Sequence, residues 1–100
     1  MSYPSEAEVA NRIRKLYESP FGGKHRGRFK IADELMRRLA GRPGRMEEGT
    51  LKKIQAEAHT HGLELSKKDG FYTVIEIEKM LAWRPVPARL VRELTAGDQE

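Results

Sequence analysis

Apolar positions along the chain change period part-way through. Val9, Ile13, Leu16 and Tyr17 recur at spacings of four, three and one, which lines up one face of an α-helix. Ser5 and Glu8 stand just before that face as an S-x-x-E capping box, and Pro20 with Gly22-Gly23 closes it, predicting a first helix at residues 5–18. A glycine-rich segment, 19–30, follows. Phe29 and Ile31 alternate with Lys30, enough for a short strand or for the anchor of a helix start. Ala32, Leu35, Met36 and Leu39 then resume helical spacing, with Gly41 as the stop, predicting a second helix at 31–40. Gly41-Arg42-Pro43-Gly44 has the chemistry of a tight turn. Leu51, Ile54 and Ala58 mark the inner face of a third helix at 46–61, closed by Gly62; Gly49 weakens its start and makes Thr50 an alternative cap.

Past Gly62 the period falls to two. Leu63 and Leu65 alternate, Ser66-Lys67-Lys68-Asp69-Gly70 is a polar turn, and Phe71, Thr73, Ile75 and Ile77 alternate with Tyr72, Val74, Glu76 and Glu78. This predicts a β-hairpin at 63–79, with Phe71 and Phe29 in the core. Pro85 and Pro87 impose a bend, Trp83 is placed to staple the C-terminal segment to the body, and Leu90, Val91 and Leu94 mark a short final helix at 87–95. That stripe offers either a homodimer contact or a face that packs on the first helix. The fold class expected is α+β: a single domain over 1–100, with a three-helix core, a C-terminal β-hairpin and a short final helix.

Charge changes the picture more than composition does. Of a net charge of +4, residues 24–45 hold eight cations against Asp33 and Glu34, so the remainder is slightly acidic. A basic block on a nearly neutral body is the footprint expected where phosphates dock. Without cysteine there is no disulfide, catalytic thiol or thiolate metal site; without a basic-then-apolar leader or a long apolar run, a cytoplasmic, bacterial-type protein is the expectation.

Three helices followed by a hairpin, with a tight turn between the second and third, resemble the winged helix-turn-helix DNA-binding superfamily over residues 5–80. The resemblance rests on element order, and the turn Gly41–Arg45 is longer and more basic than the shortest helix-turn-helix connections. It implies that the third helix enters the major groove of double-stranded DNA, with Thr50, Lys53, Gln55 and His59 as candidate base readers. Gln55 leads them, because its amide both donates to and accepts from adenine. Lys67 and Lys68 at the hairpin tip, Lys52, and Arg37, Arg38, Arg42 and Arg45 around the turn are then backbone contacts. Lys24, Arg26 and Arg28 add grip from a loop kept mobile by its glycines. The function implied is that of a transcriptional regulator or a DNA-maintenance accessory factor. Glu47, Glu48 and Glu57 on the third helix count against it.

Other chemistries fit less well. Residues 22–28, GGKHRGR, lack the spacing and the Ser or Thr of a nucleotide P-loop, and follow a helix instead of a strand. His59 and His61, two apart, fall on different helix faces, so no metal or other cofactor is expected. No nucleophile stands with a base, so the chain is not expected to be an enzyme. The competing readings are a protein–protein interaction module or inhibitor on the same scaffold, and an RNA or single-strand binder whose aromatics lie on a basic sheet surface.

Overall fold

The computed structural model describes residues 3–98. Its first helix, α1 (Glu6–Tyr17), starts where the capping box predicts: the Ser5 hydroxyl accepts from the Glu8 amide at 3.1 Å. The other half of the box is replaced, because the Glu8 carboxylate turns to Arg12 at 2.9 Å. Val9, Ala10, Ile13 and Tyr17 are buried, while Leu16 is only half-buried.

The second helix begins later than expected. Phe29–Ala32 form a strand, β1, and α2 covers only Asp33–Leu39. The strand prevails because Phe29 and Ile31 reach the core from an alternating backbone that finds ladder partners in a later strand. Met36 and Ala40 face inward, and Leu35, expected inside, is 52% exposed. The helix ends in a Schellman motif at Gly41: its amide donates to the Arg38 carbonyl at 3.0 Å and that of Arg42 to Arg37 at 2.8 Å.

The third helix, α3 (Glu48–Thr60), starts after 46, leaving Met46 outside it but packed on the core. Glu47 takes the N-cap position without a capping side-chain bond. Leu51, Ile54 and Ala58 are its buried face, as the spacing predicts. The hairpin is β2 (Leu63–Lys67) and β3 (Phe71–Glu76), joined through Asp69-Gly70 with Gly70 at φ 88°. The sheet order is β1-β3-β2, antiparallel throughout.

Two hairpin expectations are corrected. Leu65 lies directly opposite Val74 in the β2–β3 register, and Phe29 opposite Val74 in β1–β3. Cross-strand partners share a face, so Tyr72 and Val74 point into the core and Phe71 lies on the outer face, half-buried. The hairpin also stops at Glu76: the Ile77 amide still donates to the Gly62 carbonyl at 2.8 Å, but Gly62 belongs to the turn that leaves α3, so the ladder goes no further. Residues Ile77–Met80 instead form a single helical turn, α4.

The final helix, α5, is Ala88–Leu94, preceded by an extended Pro87 and followed by a 3₁₀ turn at Ala96–Asp98. Every residue from 81 to 98 is exposed, so α5 does not pack on α1 and Trp83, 61% exposed, does not staple it down. The radius of gyration is 17.3 Å, against about 13 Å for a compact domain of this length. No helix among the described residues is long and apolar enough to cross a membrane.

Candidate functional site

Helix α3 packs its buried stripe on α1 and on β2. The opposite side of a 3.6-residue helix carries Gly49, Lys52, Lys53, Ala56 and Thr60, all exposed or half-exposed. This outward ridge has small residues along its middle and lysines on both shoulders. Gly49 and Ala56 were not among the candidate residues, although the same periodicity that marks Leu51, Ile54 and Ala58 as inner marks them as outer. His59 is exposed on one shoulder. Lys52 meets only Glu48, at 3.8 Å, through an exposed and readily screened i,i+4 pair, and Lys53 has no ion-pair partner among the described residues.

Two of the four base-reader candidates do not lie on that ridge. The side-chain amide of Gln55 donates to the Leu65 carbonyl at 3.0 Å, tying α3 to β2 from a part-buried position. Thr50 is half-buried in a depression with Tyr3, Arg42, Pro43 and Arg45.

The arginines around the turn divide in the same way. Arg42 is a clamp: its guanidinium donates to the carbonyls of Ala40 at 2.7 Å and Pro4 at 3.3 Å, lies 3.9 Å from Glu6, and sits over the Tyr3 ring. Its side chain is 11% exposed, so it drops out of the surface set. Arg37 is braced by Asp33 at 3.4 Å and donates to the Pro43 carbonyl, holding the turn against α2. Arg38 and Arg45 are exposed, without ion-pair partners among the described residues.

The turn, the start of α3 and the end of β2 meet around one depression, where Arg37, Arg45 and Lys67 face Asp33, Glu47 and Glu48. Tyr72 closes its floor, and burial, with the Asp33 charge second, pushes its hydroxyl above the usual tyrosine range. Charge in the depression itself therefore nearly cancels. Lys52 and Lys53 on α3 and Lys68 on the hairpin do not line it.

Lys24, Arg26 and Arg28 stand at the other end of the sheet. The register puts Ala32 beside Phe71 next to the hairpin tip, and Phe29, which the loop enters, beside Val74. The loop is also more ordered than a tether. Phe21 and Lys24 exchange backbone hydrogen bonds at 2.9 and 3.0 Å around Gly22 and Gly23, both at positive φ, and the Phe21 ring meets Phe29 edge-on. Arg26 is held by Glu76 at 3.2 Å and lies over the Tyr17 ring. Burial, with Glu76 second, raises the Tyr17 hydroxyl above its ordinary value, and that hydroxyl is buried without a well-formed hydrogen bond. Lys24 and Arg28 remain on the surface.

The rearranged set is thus Lys52, Lys53 and His59 on α3, Arg45 at its start, Arg38 on α2, and Lys67 and Lys68 on the hairpin, with Lys24 and Arg28 at the other end of the sheet. Compared with known proteins, the chain matches no family model, no curated protein and no solved structure.

Proposed function

We propose that this chain binds double-stranded DNA through α3, on a winged helix-turn-helix arrangement, as a transcriptional regulator or DNA-maintenance accessory factor. The order helix–strand–helix–helix–hairpin, with the first strand pairing with the last, supports the winged-helix reading. The observation that carries the DNA reading is the outward ridge of α3. Gly49 and Ala56 leave its midline low, so the helix backbone can approach a groove floor closely, while Lys52 and Lys53 reach sideways to phosphates or guanine edges. Arg45 and Lys67, which share the depression at the start of α3, together with Arg38 and Lys68, supply further phosphate contacts that set register without reading sequence.

The test is affinity for a short random duplex, by fluorescence anisotropy, at two salt concentrations. Each phosphate neutralised contributes a slope of about −0.9 in log K against log salt. Reversing both lysines (Lys52→Glu with Lys53→Glu) is expected to lower affinity by about tenfold or more and to flatten the slope by about two. The reading fails if no binding is seen at about 50 mM salt, or if the double reversal leaves affinity unchanged.

A further inference from the structure

Six of the nine large apolar side chains that the body and arm leave exposed lie between residues 81 and 94: Leu81, Trp83, Val86, Leu90, Val91 and Leu94. Clustered apolar exposure of this kind marks an interaction surface. The sheet carries a matching feature. Its outer face, the one turned away from α1 and α3, has an apolar depression floored by Thr73 and Ile75, edged by Trp83 and rimmed on the β1 side by Arg28 and Lys30.

We infer that α5 of one copy docks into this depression on a second copy, and that the exchange is reciprocal, giving a two-fold dimer. Charge and shape both select this occupant. On α5 the stripe Leu90, Val91 and Leu94 covers one side, Glu93 flanks it, and Arg89 and Arg92 point away from it. Docking the stripe on Ile75 and Trp83 brings Glu93 to the rim where Arg28 and Lys30 stand and leaves the arginines in water. Glu93 now holds only Arg89, at 3.2 Å in an exposed i,i+4 pair, which is easily given up.

The connection argues for another copy in place of self-docking. Residues 81–87 are exposed throughout and include Pro85 and an extended Pro87, which carry α5 away from its own sheet. Area is sufficient only if the exchange is mutual. An aliphatic side chain covers roughly 60–120 Å²; the three of each arm's stripe, counted with the two depressions that receive them, come to roughly 1,100 Å², at the lower edge of specific interfaces. Mutual exchange is the closed, isologous arrangement that leaves no free depression to extend into a filament. The inference does not depend on what α3 binds.

The test uses the full chain. Light scattering behind size exclusion is expected to give twice 11.5 kDa at micromolar concentrations. Leu94→Glu is expected to give a monomer with unchanged circular dichroism, since Leu94 is 85% exposed. Because the chain has no cysteine, mixing the single variants Val91→Cys and Thr73→Cys reports the contact directly: the disulfide expected is the mixed one. Charge exchange gives the same information without cross-linking. Glu93→Arg and the pair Arg28→Glu with Lys30→Glu are each expected to weaken the dimer about tenfold, and combining all three to restore most of it. A monomeric chain overturns the inference, as does cross-linking of Val91→Cys only to itself, or charge exchange without rescue. Capture of single-stranded oligonucleotide by the same face in a monomeric chain overturns it too, and would assign the depression to nucleic acid.

Discussion

Gly41 is constrained twice. Its φ of 72° is a conformation that side chains with a Cβ disfavour, and a Cβ built there would lie 2.6 Å from Cδ and 2.8 Å from Cγ of the Pro4 ring. Arg42, the next residue, donates to the Pro4 carbonyl and covers Tyr3. The two residues together press the N-terminal segment onto the end of α2. Gly41→Ala is therefore expected to cost about 2 kcal/mol, from left-handed backbone strain plus displacement of Pro4, which for a domain of this size lowers Tm by roughly 10 °C. Thermal denaturation followed by circular dichroism measures it. A change within about 0.5 kcal/mol would mean that Pro4 moves aside freely and that the clamp is slack. Nothing in the composition of the turn separates Arg42 from Arg45. Besides the nearby Ala40 carbonyl, the partners of Arg42, Glu6 and Pro4, lie 36 and 38 residues earlier in the chain, so only the tertiary structure distinguishes a clamp from a surface cation.

Elements whose signals are local were legible, and those decided by partners were not. The cap and stripe of α1, the inner face of α3 and the Asp69-Gly70 turn follow from neighbouring residues. The strand β1 is only four residues long, and its claim on Phe29–Ala32 comes from β3, roughly forty positions later. The face of β3 was likewise decided by pairing with Leu65 and Phe29, which turned Tyr72 inward and Phe71 out. For the candidate site, the third helix was identified as the surface-bearing element, but its best reader by chemistry, Gln55, is a bracket between α3 and β2. Gln55→Ala is thus expected to lower stability by about 1 kcal/mol, the net value of one part-buried hydrogen bond, while duplex affinity stays within about twofold. Urea denaturation and anisotropy on the same protein check both halves. A large loss of affinity with stability intact would return Gln55 to the binding face and would require β2 to release it.

At the scale of the whole molecule, the body and the C-terminal arm follow different rules. The body buries Val9, Ile13, Tyr17, Met36, Ile54, Tyr72 and Val74 around one centre. The arm buries nothing, and the long dimension of 57 Å against 33 and 24 Å records the separation. Trp83 sits at the junction and is the chain's single tryptophan, so its fluorescence reports on the arm's surroundings and not on the core. In the isolated copy the indole is 61% exposed, and its emission should sit near that of tryptophan in water. If a second copy's α5 covers the depression that Trp83 edges, emission shifts to the blue as concentration rises, with a midpoint equal to the dimer dissociation constant from light scattering. Leu94→Glu removes the concentration dependence and leaves the red-shifted spectrum. Urea then separates the two units: dilute protein loses its helical signal with little change in Trp83 emission, while concentrated protein shows a red shift coupled to dissociation. Emission that is already blue-shifted and independent of concentration would mean that the arm folds back on its own sheet, joining arm and body in a single cooperative unit.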